Sequence, residues 1–214
     1  MRVEGTETGP GGVDAVVFDL YGTLIRLERD TRPYVRFARR VRPDDPGGVV
    51  RRSLVVDAHD LRRFAERLGV DPPEGVEALE DDLRRDVRSA RVFEDVEGVL
   101  ADLRGRGVRL GLISNAATPY KEPFERLGLA GRFDAVLFSC DAGLRKPEPE
   151  IYRRMADALG VEPARVVMVG DGPRSDVEGP RGVGMGARLL RRGGGGGIAG
   201  LGELAASIGV TPGR

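Results

Sequence analysis

Several residue types are scarce in this 214-residue sequence, and each shortage excludes a class of protein. Cys140 is the single cysteine, so there is no internal disulfide, and we expect a reducing, cytoplasmic setting. No apolar run approaches the length of a membrane span, and the first residues lack the apolar stretch of a secretory signal. We therefore expect a soluble protein with no membrane partner.

Charge of one sign is not in excess, and lysine is almost absent. Lys and Arg together number 34, as do Asp and Glu, so no net charge attracts nucleic acid. Only Lys121 and Lys146 are lysines, and the other 32 basic residues are arginine. Where positive charge alone suffices this chain uses arginine, so a lysine marks a place that needs a compact ammonium group. We expect no nucleic-acid partner, and the oligomeric state stays open.

The order of short apolar runs and helical patterns indicates the fold class. Residues 1–12 are rich in Gly, Thr and Glu, which predicts a flexible lead-in. Beyond them, apolar runs without polar alternation predict strands covered on both faces, over residues 15–20, 108–114, 133–139, 166–170 and 184–190. Helices are predicted between or after them, over residues 96–104, 119–128, 149–160, 174–181 and 201–208. This alternation predicts an α/β protein with a parallel sheet.

A helical segment interrupts this pattern after the first strand. Apolar side chains recur at helical spacing over 54–68, which ends at Gly69, and again over 76–87. The part before residue 53 is rich in arginine and contains prolines and glycines, so it must contain breaks. We therefore predict a core formed by residues 13–29 and 89–214, with residues 30–88 inserted as a small helical module.

Polar side chains follow four of the predicted strands. In an open α/β sheet, ligands bind at the carboxyl ends of the strands, so these side chains are expected to lie close together. In chain order they are Asp19, then Ser114 and Asn115, then Lys146, then Asp171 and Asp176. Taken singly, each has an ordinary structural explanation as a helix cap or a solvated charge. Their joint placement at one edge is what favours a functional site.

Clustered carboxylates with no Cys or His nearby point to a hard cation such as Mg²⁺. A carboxylate can also act as a nucleophile and form an aspartyl-phosphate. Phosphoryl transfer needs an attacking group, charge compensation and donors to the phosphoryl oxygens. Asp19 is placed to attack, Asp171 and Asp176 to hold the metal, and Ser114 and Lys146 to bind the phosphoryl group.

The segments DLYGT, ISN, RKPEPEIY and GDGPRSD resemble, in this order, the four motifs of the haloacid dehalogenase-like (HAD) hydrolase superfamily. The resemblance runs from about residue 14 to residue 190. It implies a Rossmann-like core with a small helical cap inserted after the first motif. It also implies a role for each matching residue. Asp19 corresponds to the nucleophile, the Tyr21 carbonyl to a metal ligand beside Asp19 and Asp171, and Asp176 to the second metal-site acid. Ser114 and Lys146 correspond to the phosphoryl-binding pair, and Lys146 is also expected to be catalytic. Thr23 corresponds to a support for the loop, and both Thr23 and Asn115 are placed in the same phosphate-binding set.

The first motif departs from the usual phosphatase pattern at Tyr21. Phosphatases of this superfamily usually carry a second Asp there, as general acid and base. A Tyr resembles the 2-haloacid dehalogenases, which use no metal, and Tyr152 also matches a dehalogenase position, although it suits a helix core equally well. Dehalogenases lack the acid pair that this chain keeps in Asp171 and Asp176.

The retained acid pair favours one activity over two alternatives. We expect a Mg²⁺-dependent phosphatase that acts on a small phosphorylated metabolite through an aspartyl-phosphate intermediate, with Tyr21 at the catalytic site. The alternatives are a metal-independent 2-haloacid dehalogenase and a weakly catalytic binding protein with this fold.

Overall fold

A computed structural model describes residues 12–209 of the chain. The predicted flexible lead-in therefore lies outside the described residues, apart from Gly12. The strands are β1 Ala15–Phe18, β2 Ile25–Leu27, β3 Ala90–Val92, β4 Arg109–Ser114, β5 Ala135–Phe138, β6 Val166–Gly170 and β7 Gly186–Leu189. The helices are α1 Pro33–Val41, α2 Pro46–Ser53, α3 Leu61–Leu68, α4 Val76–Arg88, α5 Val96–Gly105, α6 Glu122–Arg126, α7 Ser139–Ala142, α8 Pro149–Leu159, α9 Gly179–Arg181 and α10 Leu201–Ser207.

Five strands form one parallel sheet in the order β5-β4-β1-β6-β7. Each of the five predicted strands is present and lies within its predicted range. The predicted helix over 119–128 is a short 3₁₀ turn, Thr118–Lys121, followed by α6. The one predicted over 174–181 is a π turn, Pro173–Glu178, followed by α9. The predicted parallel α/β sheet is confirmed.

Helices cover the sheet on both faces, and β1 shows why its residues do not alternate in polarity. Val16 and Phe18 belong to an apolar cluster that contains residues of α5 and α10, whereas Ala15 and Val17 belong to another that contains residues of α8. All four side chains of β1 are fully buried. A strand buried on both faces has no place for a polar side chain, which explains its continuous apolar run.

Helices α1 to α4, called the cap here, bury their apolar faces in a third cluster. The predicted helix over 54–68 is wrong in its first half, because α3 begins only at Leu61. The Asp60 carboxylate accepts a hydrogen bond from the Arg63 amide at 2.7 Å, which caps the helix at that point. The stripe from Leu54 to Ala58 reflects burial of loop residues and not helical continuity.

Two cap helices and one small sheet have no clear counterpart in the sequence patterns. Helices α1 and α2 each begin at a proline, Pro33 and Pro46, which suits a first helical position. Strands β2 and β3 pair antiparallel at the base of the cap. None of the helices among residues 12–209 has the length and apolar character needed to cross a membrane.

Candidate functional site

The site lies at the carboxyl edge of three adjacent strands. Strand β1 lies between β4 and β6, so the residues that follow these strands meet at one edge. Asp19 follows β1, and its amide donates to the Val169 carbonyl at 2.9 Å. Ser114 ends β4 and is nearly fully buried, and Asp171 directly follows β6. The sheet order thus brings these predicted site residues together.

Lys146 joins two of the three acids. Its ammonium nitrogen lies 2.7 Å from Asp19 Oδ1 and 2.6 Å from Asp176 Oδ1. Asp19, Asp171 and Asp176, called the acid cluster here, each contribute one carboxylate oxygen to a group whose atoms lie within 4.8 Å of one another. Lys146 and Asp176 are buried, whereas Asp171 is exposed. Three carboxylates therefore face one ammonium group in a largely buried site.

The pKa values reflect this imbalance of charge. Burial raises the pKa of Asp19 to about 6, Lys146 opposes the rise, and Asp176 and Asp171 add to it. Burial and the charge of Asp176 also raise the pKa of Asp171 above its ordinary value. Burial alone would lower the pKa of Lys146, but Asp19 and Asp176 raise it, so the ammonium stays charged. A further cation would stabilise the three carboxylates, and an all-oxygen donor set fits Mg²⁺.

The turn after β6 holds Asp176 in place. The Gly172 amide donates to Asp176 Oδ2 at 2.8 Å, and the Asp176 amide donates to the Gly172 carbonyl at 2.8 Å. A Cβ at Gly170 would lie 2.5 Å from Asp176 Cγ, so a glycine is required for this approach. The segment Pro173–Glu178 is a π turn, a form that is frequent at functional sites.

The loop after β1 packs closely against Asp171. Gly22 has a φ of +79°, and a Cβ there would lie 2.3 Å from Asp171 Oδ2. Thr23 is fully buried, and its hydroxyl has no hydrogen-bond partner among residues 12–209. A buried Thr23 side chain supports the loop, and nothing here places it against a phosphate.

Asn115 acts on the loop that carries Lys146. Its side-chain amide donates to the Lys146 carbonyl at 2.8 Å, and its Oδ1 accepts from the Lys146 amide at 2.8 Å. Both polar groups of the Asn115 side chain are therefore hydrogen-bonded to the main chain of Lys146. This arrangement positions the lysine, whereas the resemblance placed Asn115 in the phosphate-binding set.

The Tyr21 side chain is bound to a core loop. Its hydroxyl donates to the Tyr120 carbonyl at 2.8 Å, and its ring meets the Tyr120 ring edge-on at 5.7 Å between centroids. Burial raises the pKa of Tyr21 above its ordinary value, and Tyr120 and Glu122 add to the rise. The phenol is therefore neutral at physiological pH and already hydrogen-bonded. The metal-ligand prediction concerns the main-chain carbonyl of Tyr21 and not this side chain.

Tyr152 supports the turn that carries Asp176. It is fully buried, and its hydroxyl donates to the Ser175 carbonyl at 2.5 Å. Gly179 leaves room for this hydroxyl, because a Cβ there would lie 2.3 Å from it. The helix-core interpretation of Tyr152 agrees with these contacts.

Arg192 supports the site, and no sequence pattern singled it out. It forms two hydrogen bonds with the Asp95 carboxylate, at 2.9 and 3.0 Å, and donates to the Thr23 carbonyl at 2.7 Å. It thereby links the loop after β1 to the start of α5. Because 32 of the 34 basic residues are arginine, an arginine at position 192 did not stand out in the sequence as a candidate site residue.

A cavity of about 300 Å³ lies between the cap and the core loops. It is called the cap cavity here. Its lining residues are Tyr21, Leu27, Asp30, Arg32, Pro33, Tyr34, Val35, Val50, Ser53, Leu54, Asn115, Ala116, Ala117 and Tyr120. Tyr21 and Asn115 connect this wall to Asp19 and Lys146, respectively.

The chain is similar to known hydrolases. Residues 13–184 match the model of the family described as haloacid dehalogenase-like hydrolase. A phosphoserine phosphatase from Thermus thermophilus is 36% identical over 122 residues, which cover 56% of this chain and 49% of that protein. The chain thus matches about half the length of this relative.

Two further similarities cover more of the chain. A phosphoglycolate phosphatase from Rhodospirillum rubrum is 30% identical over 187 residues, which cover 74% of this chain and 72% of that protein. The crystal structure of a HAD phosphatase from Thermococcus onnurineus superposes with a TM-score of 0.66 and 28% identity, over 94% of this chain and 100% of that one. Together with the family match, these findings show that the chain belongs to the haloacid dehalogenase-like hydrolases.

Proposed function

We propose that this hydrolase is a Mg²⁺-dependent phosphatase that acts on a small phosphate monoester through an aspartyl-phosphate on Asp19. The observation that carries the proposal is the acid cluster, whose oxygens lie within 4.8 Å of one another beside the Lys146 ammonium. The names of two relatives, a phosphoserine phosphatase and a phosphoglycolate phosphatase, support a phosphate-ester substrate.

The first chemical step uses Asp19 as the nucleophile. Its carboxylate oxygen attacks phosphorus, the bond from phosphorus to the ester oxygen breaks, and the leaving group takes up a proton. Lys146 Nζ lies 2.7 Å from Asp19 Oδ1, so it is within reach of a phosphoryl oxygen held there, and Ser114 is its proposed partner. Asp19, Asp171, Asp176 and the Tyr21 carbonyl would hold Mg²⁺, which would supply positive charge to offset the charge on the phosphoryl group.

The second step returns Asp19 to its starting state. A water oxygen attacks phosphorus and loses a proton to solvent, the bond between phosphorus and the Asp19 oxygen breaks, and inorganic phosphate leaves with the oxygen from water. This step benefits from a general base, and the position where related phosphatases carry a second Asp holds Tyr21. Because the Tyr21 phenol is neutral and donates to the Tyr120 carbonyl, it is a poor base. We therefore propose that hydrolysis of the phosphoenzyme is the slow step.

Tyr21 also favours a second candidate, a 2-haloacid dehalogenase, because such enzymes carry a Tyr at this position. In that reaction Asp19 attacks the carbon that bears the halogen, and halide leaves without a proton. Asp171 and Asp176 argue against it, because two more carboxylates beside Asp19 repel an anionic haloacid.

A substrate panel separates these functions. We expect phosphate release from phosphate monoesters with Mg²⁺, none with a chelator, and none from Asp19→Asn. Asp157→Asn, an exposed aspartate on α8, is the matched control and retains full activity. Halide release from 2-haloacids in the presence of chelator would establish the dehalogenase instead. Very weak hydrolysis of every ester would favour the third candidate, a binding protein with this fold.

A further inference from the structure

The cap cavity presents a mainly apolar surface. Its lining includes Tyr21, two residues along the chain from Asp19, and Asn115, which is hydrogen-bonded to the main chain of Lys146. Its cap side consists mainly of Pro33, Tyr34, Val35, Val50 and Leu54. Its core side adds Leu27, Ala116 and Ala117, together with the rings of Tyr21 and Tyr120. A volume of about 300 Å³ is at the lower end of the range for small-molecule sites. The cavity therefore accepts one compact group.

Three polar side chains on this wall are already hydrogen-bonded to protein. The Tyr21 hydroxyl donates to the Tyr120 carbonyl at 2.8 Å. The Ser53 hydroxyl donates to the Val50 carbonyl at 2.8 Å. The Asn115 amide is bonded at both ends to the main chain of Lys146. A polar ligand would have to break these bonds to use these three groups, which leaves the Tyr34 hydroxyl as the buried hydroxyl of the lining that is free among residues 12–209.

The aromatic residues form a continuous surface on one side of the cavity. The Tyr120 ring lies 5.7 Å from the Tyr21 ring and 6.3 Å from the Tyr34 ring, measured between centroids. The Tyr34 hydroxyl is buried and has no hydrogen-bond partner among the described residues. These rings offer faces and edges against which an aromatic ligand can pack.

The charged residues of the lining balance each other. Asp30 and Arg32 are the only charged residues among those that line the cap cavity, and their side chains lie 3.7 Å apart. Both side chains are largely exposed, at 51% and 73%, so they lie toward solvent. The cavity thus has no net charge with which to hold a substrate carboxylate or ammonium.

From these observations we infer that the organic group of the substrate is apolar: the enzyme acts on phosphate monoesters of a compact aromatic or branched aliphatic alcohol. This inference rests on the phosphatase activity proposed above. It sets the chain apart from relatives named for phosphoserine and phosphoglycolate, since both of those compounds carry a carboxylate. Leu54 and Val50 act as specificity-determining residues on the cap side.

Binding of non-hydrolysable phosphonates tests the inference without requiring turnover. Benzylphosphonate, phosphonoacetate and methylphosphonate are titrated calorimetrically into the full chain in the presence of Mg²⁺. We expect benzylphosphonate to bind at least about tenfold more tightly than the other two, because a single methylene in an apolar pocket is worth about 10- to 200-fold. Equal or tighter binding of phosphonoacetate would overturn the inference.

A cavity variant and a matched control locate the preference. Leu54→Asn places an amide on the cavity wall, whereas Leu68→Asn makes the same change in the cap at a residue outside the lining. We expect Leu54→Asn to reduce the preference for benzylphosphonate over methylphosphonate about tenfold. Leu68→Asn should leave this preference unchanged. Val50→Thr, which nearly preserves volume, should act in the same direction if Leu54→Asn folds poorly. An identical effect of both Leu→Asn variants would refute the assignment.

Hydrolysis of two esters separates this inference from the proposed function. Benzyl phosphate and phosphoglycolate both release an alkoxide. We expect kcat/KM to be at least about tenfold higher for benzyl phosphate. Higher kcat/KM for phosphoglycolate would overturn the apolar substrate class and leave the phosphatase activity standing. Absence of phosphate release from both esters would refute the phosphatase, and the phosphonate titration would still decide what the cavity binds.

Discussion

At the scale of the residue, the site depends on one ammonium group among three carboxylates. Lys146 contacts Asp19 and Asp176 at 2.7 and 2.6 Å and is 2% exposed. Arginine is abundant in the chain, but its planar, forked head differs in shape from the compact ammonium that contacts both carboxylates here. The scarcity of lysine was therefore an informative sequence signal.

Lys146→Met should destabilise the protein in a manner that depends on pH. Removing one partner of a buried ion pair costs about 3–5 kcal/mol, because the remaining charges are left uncompensated. Burial already raises the pKa of Asp19 to about 6, so Asp19 becomes neutral as the pH falls through this value and the repulsion is relieved.

Urea denaturation in metal-free buffer measures this effect. We expect a large loss in the free energy of unfolding at pH 8 and a smaller loss at pH 5. Lys121→Met is the control, since Lys121 pairs with the half-exposed Asp141 outside the acid cluster. An equal loss at the two pH values would contradict the charge argument.

Tyr21 is the second residue on which the account depends. Tyr21→Asp supplies a carboxylate at the place of the missing general base and should raise turnover by up to about 10²-fold. Tyr21→Phe removes only the hydrogen bond to the Tyr120 carbonyl and should leave turnover close to that of the wild type.

Rapid-quench kinetics reports which step is slow. The wild type should show a burst of leaving group, and Tyr21→Asp should lose it as hydrolysis of the phosphoenzyme accelerates. A wild type without a burst, whose rate follows the pKa of the leaving group, would mean that the first step is slow.

At the scale of the element, close approach of the loops after β1 and β6 shapes the acid cluster. Gly22 makes that approach possible for two reasons. Its φ is +79°, and a Cβ at this position would lie 2.3 Å from Asp171 Oδ2. The glycine therefore serves both backbone conformation and space.

Gly22→Ala should weaken Mg²⁺ binding and lower the free energy of unfolding by about 1–3 kcal/mol. Gly184→Ala is the control, because Gly184 has a similar φ of +87° but nothing within 4 Å of its Cβ position. We expect the control to lose stability through its backbone alone and to retain Mg²⁺ affinity, as titration calorimetry would show. Equal Mg²⁺ affinity in Gly22→Ala and the wild type would contradict the role of this contact.

Elements that are defined by burial were predictable from sequence, and elements that are defined by context were not. The strands of the sheet have continuous apolar runs because both of their faces are covered, as for Ala15–Phe18. In the cap, Leu54 and Ala58 lie in a packed loop, and the spacing of these apolar residues resembles that on one face of a helix. Helix α1 does carry an apolar stripe at helical spacing, Tyr34, Phe37, Ala38 and Val41, which the arginines around it obscured. Helix α2 contains two glycines and three polar residues, so its apolar face is too short to stand out.

The site shows the same division. Asp19, Ser114 and Asp171 were predictable, because each follows a strand and parallel topology brings strand ends together. The use of the Asn115 side chain by Lys146 depends on the path of a distant loop, which sequence spacing does not indicate. Arg192 likewise contacts Thr23 across 169 positions of sequence.

At the scale of the whole molecule, the cap and the core are joined by packing as well as by the chain. The apolar cluster of the cap includes Ala117 and Tyr120 from the core loop after β4. Buried Asp86 accepts hydrogen bonds from the Thr31 amide at 2.8 Å and the Thr31 hydroxyl at 2.7 Å, which ties α4 to the segment that enters the cap. The core loop that lines the cap cavity is therefore packed into the cap.

The central claim, that Asp19 carries a phosphoryl group during turnover, is tested most directly by trapping that group. The protein is mixed with a phosphate monoester and Mg²⁺, quenched in acid within milliseconds, and mapped by peptide mass spectrometry. The account predicts one phosphoryl group on the peptide that contains Asp19, formed faster than steady-state turnover, and none in Asp19→Asn or without Mg²⁺. A wild type that releases phosphate with no phosphoryl group on Asp19 at any time point would contradict it.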